Sequence, residues 1–98
     1  MAALLTARTT DTTSSGIAIT ADGAWIEIPG TSVFAGAMII VEASSVNTTG
    51  LYSPVGRIAT MTSSGWLKLD LPSGTFVRVK QANSSAATSI TVNLSPTA

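Results

Sequence analysis

Apolar residues recur at every second position through most of this chain, which is the repeat of a β-strand. The clearest stretch is "WLKLDLPSGTFVRVK" (66–80). Leu67, Leu69, Leu71, Val77 and Val79 fall on one side, and Trp66, Lys68, Asp70, Phe76, Arg78 and Lys80 on the other. "LPSGT" offers the Pro and Gly of a three-residue hairpin loop. The stretch therefore predicts a β-hairpin with Leu69 opposite Val77 and Lys68 opposite Arg78. That like-charge pair is mildly destabilising. Asp70, diagonal to Arg78, relieves it, and Lys80 beside Trp66 makes a cation–π contact.

"GIAITADGAWIEI" (16–28) predicts a second hairpin, with Asp22-Gly23 in a two-residue type I′ turn. That register pairs Ile17 with Ile28 and Ile19 with Ile26, so the four isoleucines share a face. Ala18, Thr20, Trp25 and Glu27 take the other face. "VFAGAMIIVEAS" (33–44) is apolar on both faces and predicts a central strand covered on both sides. Gly36 within it suggests a bulge or a close backbone approach. A long connection (44–54) leads to a strand over 55–62. "QANSSAA" (81–87) predicts a loop. "TSITVNLS" (88–95) predicts a closing strand with Ile90, Val92 and Leu94 inward.

No window sustains a helical period. Gly and Pro punctuate a Thr/Val/Ile-rich chain at the spacing of short strands. The economical fold is a single-domain, all-β antiparallel β-sandwich, jelly-roll-like, of about seven to eight strands over 16–98. "ARTTDTTSSG" (7–16) has no apolar period, so residues 1–15 predict an extended N-terminal arm. "MAALLTARTT" has no basic segment before its apolar run and is not expected to act as a secretory signal.

Charge changes the picture. Five basic and five acidic residues cancel, and only 10% of the chain is charged, against about 25% in an average protein. This excludes a basic nucleic-acid footprint, and no apolar run is long enough for a membrane span. Sparse charge and zero net charge favour association with neighbours.

Candidate chemistry is thin. The chain has no Cys and no His, so thiolate chemistry, the commonest general base and the commonest metal ligand are missing. Asp11, Asp22, Glu27, Glu42 and Asp70 show no metal-loop or helical spacing. Glu27 and Glu42 are the one pair that could meet across strands, as a glycosidase pair would. No catalytic group, cofactor or metal site is expected. Trp and Arg are enriched at interface hot spots, so the outer face of 66–80 is the leading contact candidate: Trp66, Lys68, Asp70, Phe76, Arg78 and Lys80. Leu4, Leu5 and Arg8 of the arm, and Trp25, join it. Trp25, Tyr52 and Trp66 would instead be the stacking rings of a carbohydrate-binding sandwich.

The run "LKLDLPSGTFVRVKQANSSAATSITVNLSP" resembles small all-β virion proteins of tailed bacteriophages. These end in a strand, an "LP-x-G-x-(Y/F)-x-R" hairpin, a Ser/Asn/Ala loop and a "T-S-I-T-V-x-L" strand. Leu71-Pro72-Ser73-Gly74-Thr75-Phe76-Val77-Arg78 fits the hairpin, and Thr88 to Leu94 fits the last strand. The likeness spans 34–94. It implies a capsid decoration (cement) protein that binds between major capsid subunits, or a fibre, tail-appendage or adaptor module. It further implies a place on the capsid surface after synthesis in the host cytoplasm. The implied partners are the major capsid protein and copies of itself, as a homo-trimer, with no nucleic acid and no membrane. The resemblance carries no catalytic residues.

Overall fold

The computed structural model describes residues 2–48, 50–54 and 60–97. Among them are ten strands and no helix: β1 (Ala2–Arg8), β2 (Thr12–Thr13), β3 (Ile17–Ala18), β4 (Ala24–Ile28), β5 (Met38–Ser44), β6 (Ser53–Pro54), β7 (Thr60–Met61), β8 (Gly65–Leu69), β9 (Phe76–Ala82) and β10 (Ile90–Ser95). They form two sheets whose strand pairs are all antiparallel. Sheet A runs β1-β10-β4-β8. Sheet B runs β2-β9-β5-β6, with β3 also on β9 and β7 also on β5. Taking β2 with β3, and β6 with β7, as two interrupted strands leaves eight strand positions. Their order, 1-8-3-6 in one sheet and 2-7-4-5 in the other, is that of a jelly roll. The expected all-β sandwich is the observed fold.

The inner faces are those the alternation predicts. Ile26, Ile28, Leu67, Leu69, Ile90, Val92 and Leu94 from sheet A meet Ile39, Val41, Val77 and Val79 from sheet B, all buried. Each such side chain contributes about 1.5–3 kcal/mol by leaving water.

Strand partners differ from the expectation. Neither predicted hairpin forms. Ile17 pairs with Val77 and Ala18 with Phe76 in sheet B, whereas Ile26 pairs with Leu67 and Leu94 in sheet A. Likewise β8 lies in sheet A and β9 in sheet B, so Leu69 and Val77 enter the core from opposite sheets instead of pairing along a ladder. Both connections are arches between the sheets, and they are stapled together. Gly23 N–H donates to the Leu71 carbonyl at 2.8 Å, and Gly74 N–H to the Ile19 carbonyl at 2.9 Å. Ser73 N–H donates to Asp22 Oδ1 at 2.8 Å. Gly23 and Gly74 take φ of 80° and 88°, so turn chemistry is used as expected, but for crossing between sheets. Asp22 is not at positive φ, as a type I′ turn would require.

The extended N-terminal arm expected over 1–15 is, over its described residues 2–15, part of the sandwich. β1 is an edge strand of sheet A, and β2 lies at the edge of sheet B. Two register shifts along β1 mark bulges. The first lets the consecutive Leu4 and Leu5 both reach the core, where they are 9% and 5% exposed. They are core residues of their own chain, which corrects their assignment as contacts. Asp11 clips this segment down by accepting the Ser84 N–H at 2.8 Å. That hydrogen bond holds the Asp11 carboxyl below its ordinary value near 3.8. A depressed folded-state pKa stabilises above the unfolded value, and the benefit is lost as pH falls through the folded one. Asp11→Asn is expected to flatten the acid limb of a melting-against-pH profile below about pH 4. An unaltered limb would remove the clip from the list of stabilising contacts.

Other elements shift modestly. The strand expected over 33–44 starts at Met38. Before it, the Ala37 N–H closes a tight turn onto Phe34 O at 2.9 Å, with Ala35 and Gly36 at φ of 48° and 90°. Gly36 therefore serves a turn and no bulge. β9 continues through Gln81, which is 1% exposed. Gln81 Nε2 donates to the Arg8 carbonyl at 3.1 Å and to Ser84 Oγ at 2.9 Å. Of the strand expected over 55–62, residues 55–59 lie outside the described residues and Thr60–Met61 form β7.

Candidate functional site

The residues expected on one face divide between the two outer faces of the sandwich. On sheet A, Trp25 and Glu27 of β4 point outward beside Lys68 and Trp66 of β8. The register sets Trp25 against Lys68 and Glu27 against Trp66. The two indoles meet edge to face, with ring centroids 6.2 Å apart and planes at 83°, a favoured aromatic geometry. They stay open to solvent, Trp25 at 45% and Trp66 at 59%. Asn93 of β10 donates to Glu27 Oε1 at 3.0 Å and fixes the carboxylate beside them. Asp70 follows β8 and lines a shallow depression with Lys68, Asp22 and Pro72.

On sheet B, Phe76, Arg78 and Lys80 of β9 point outward on the far side of the molecule. The expected Lys68–Arg78 opposition, Asp70–Arg78 relief and Lys80–Trp66 contact are therefore absent, because β8 and β9 belong to different sheets. Arg78 pairs with Glu42 of β5, its cross-strand neighbour, through Nε–Oε1 at 2.9 Å. Its guanidinium also lies 4.2 Å from the Tyr52 ring centroid, a cation–π distance. Tyr52 donates to Asn47 Oδ1 at 2.7 Å. Both side-chain ends lie where a Cβ on Gly16 would sit, so any larger residue there would displace the Tyr52–Asn47 pair. Burial pushes the Tyr52 phenol above its ordinary 10.0, against the opposing pull of Arg78. These groups and residues 13–15 line an open cleft of about 550 Å³. Arg8 is exposed at the end of β1 and lines a shallow depression with Thr12, Thr13 and Ser14.

Tyr52 and the two tryptophans are thus on opposite faces and do not build one sugar platform. Glu27 and Glu42 are on opposite faces too, so they cannot act as a carboxylate pair. Among the described residues, no group of three or more His, Cys, Asp or Glu gathers that could hold a metal ion. The Glu42–Arg78–Tyr52 assembly was not anticipated. The one sequence cue for it is a single outward carboxylate, Glu42, on one strand and an outward cation, Arg78, on another, which needs the β5–β9 register to be used.

Comparison with protein-family models, with curated proteins and with solved structures gives no match to this chain.

Proposed function

We propose that this chain is a structural protein of a bacteriophage virion, a capsid decoration protein that docks on the assembled shell through the outer face of sheet A and performs no catalysis. The observation that carries the docking reading is the Trp25–Trp66 pair. Two tryptophans, 45% and 59% exposed on a regular sheet face, are unusual in a chain with 5% aromatic residues. Tryptophan is the residue most enriched at binding hot spots. Glu27, Lys68 and Asn93 around the pair supply the polar rim that interfaces use. The resemblance at 71–78 and 88–94 supplies the virion setting.

A protein that binds only the assembled shell stabilises it by mass action, by about 2.7 kcal/mol per site at a concentration 100 times Kd. Shells heated with and without saturating protein are expected to differ in melting temperature. Identical transitions would refute decoration. Copy number then separates the alternatives: hundreds per particle for decoration, tens or fewer for a fibre, tail or adaptor module. The perpendicular indoles present no single flat stacking surface, which disfavours the carbohydrate-binding alternative.

A further inference from the structure

The two sheets leave four edges, and three of them are blunted. β1 carries two register shifts. One edge of sheet B is broken into the two-residue pieces β2 and β3, and the described residues of the other form the two-residue strands β6 and β7, which pair with β5 out of step. Bulges and short strands are the standard protections against edge-to-edge pairing. β8 has neither. Its five residues pair with β4 in unbroken register, and among the described residues nothing pairs with its outer edge. An exposed, regular edge is a template for another strand.

We propose that β8 pairs with β8 of a second copy, antiparallel across a two-fold axis at Leu67, so that two A sheets become one continuous sheet. Gly65–Leu69 overlaps itself fully in one antiparallel register only, the one centred on Leu67. That register is chemically self-complementary. Lys68 falls opposite Trp66 of the second copy, and Trp66 opposite its Lys68. Each ammonium then lies between its own Trp25, already its cross-strand neighbour, and an indole of the second copy. Both contacts are of the cation–π kind, and the two-fold makes them twice. Asp70 falls opposite Ser64 of the second copy, so no like charges oppose. Shifting the register by two residues in one direction sets Lys68 against Lys68, which is unfavourable. The contact also joins the two exposed tryptophan pairs into one surface. It predicts a dimer in place of the trimer that the family resemblance implies, and it does not depend on the virion reading.

Analytical ultracentrifugation of the full chain over a concentration series is the test, with hydrogen exchange of the β8 amides alongside. The expected species has twice the 9.9 kDa mass of one chain, with amides of Gly65–Leu69 gaining protection as concentration rises. Lys68→Glu puts a carboxylate against an indole face and near Glu27, and should weaken dimerisation about tenfold or more. Lys80→Glu, on the opposite sheet, should leave it unchanged. A monomer throughout, a trimer, or a dimer indifferent to Lys68→Glu with unprotected β8 amides would overturn the proposal. So would β8 amides that become protected only when a different protein is added.

Discussion

Trp25→Ala should lower affinity for the assembled shell by about 30-fold or more, the size of a hot-spot loss near 2 kcal/mol, while the isolated protein stays folded. The two effects separate because of where the ring lies. Trp25 is 45% exposed and lies on the outer face of sheet A, so truncation opens no cavity in the core between the sheets. What the isolated chain loses is mainly the edge-to-face contact with Trp66, worth about 0.5–1.5 kcal/mol. In a docked state the same ring would be desolvated by the partner, and the full cost of truncation would appear there. Trp25 is the better probe than Trp66 because it sits on β4, one strand in from the free edge. Its loss reports on the face, and Lys68→Glu reports on the edge. Binding of Trp25→Ala to shells by sedimentation, with Lys80→Ala from the opposite sheet as reference, measures the effect. Equal affinity for wild type and Trp25→Ala would locate docking elsewhere, with the Arg78–Tyr52 face the next to test.

How far the fold could be read ahead follows from what a period of two encodes. Alternation says which side of a strand is oily, and it named Leu67, Leu69, Val77, Val79, Ile90, Val92 and Leu94 as inward without error. It says nothing about the neighbour. Two strands joined as a hairpin and two strands joined as an arch both turn their apolar residues to one core. Asp22-Gly23 and Pro72 to Gly74 suit either connection. Among the described residues, β5 with the β6–β7 position is the one case of successive strand positions paired within one sheet, so hairpin inference fails nearly everywhere. The sequence did hold one warning. A hairpin over 66–80 sets Lys68 against Arg78 with Asp70 alone on that face to offset them. Placing β9 beside β5 removes the conflict and gives Arg78 a carboxylate, Glu42, at 2.9 Å.

The same ambiguity governed the candidate site. A single hairpin would carry the six outward residues of 66–80 on one surface. The arch sends Trp66 and Lys68 to one outer face and Phe76, Arg78 and Lys80 to the other. What survives is smaller and better defined. Trp25 joins Trp66 because β4 and β8 are neighbours, a pairing with 36 residues of chain between Ile28 and Gly65 that no local pattern announces. Leu4 and Leu5 left the site for the opposite reason. A bulge in β1, invisible to strict alternation, turns two successive leucines inward.

Ile39→Ala and Ile40→Ala should differ sharply, although they are adjacent and chemically identical. β5 is apolar on both faces, so its sequence does not say which face the core receives. In the structure Ile39 is 0% exposed and faces the inner residues of sheet A, while Ile40 points outward between Lys80 and Thr60. Truncating Ile39 removes buried methylenes and leaves a cavity between rigid sheets, at a cost of about 3–4 kcal/mol. For a domain of this length that is a large part of a total near 5–15 kcal/mol, and it should lower Tm by roughly 12–25 °C. Ile40 is only partly buried and leaves no enclosed cavity, so truncating it should cost less, about 1–2 kcal/mol. Urea melts of both variants give the comparison, with m unchanged if both remain two-state. Equal destabilisation would mean that the outer face of sheet B is also covered, which would make it a second buried interface in place of a solvated one. The reverse order would place Ile40 in the core and shift β5 by one residue, which would also break the Glu42–Arg78 pair by turning both side chains to opposite faces.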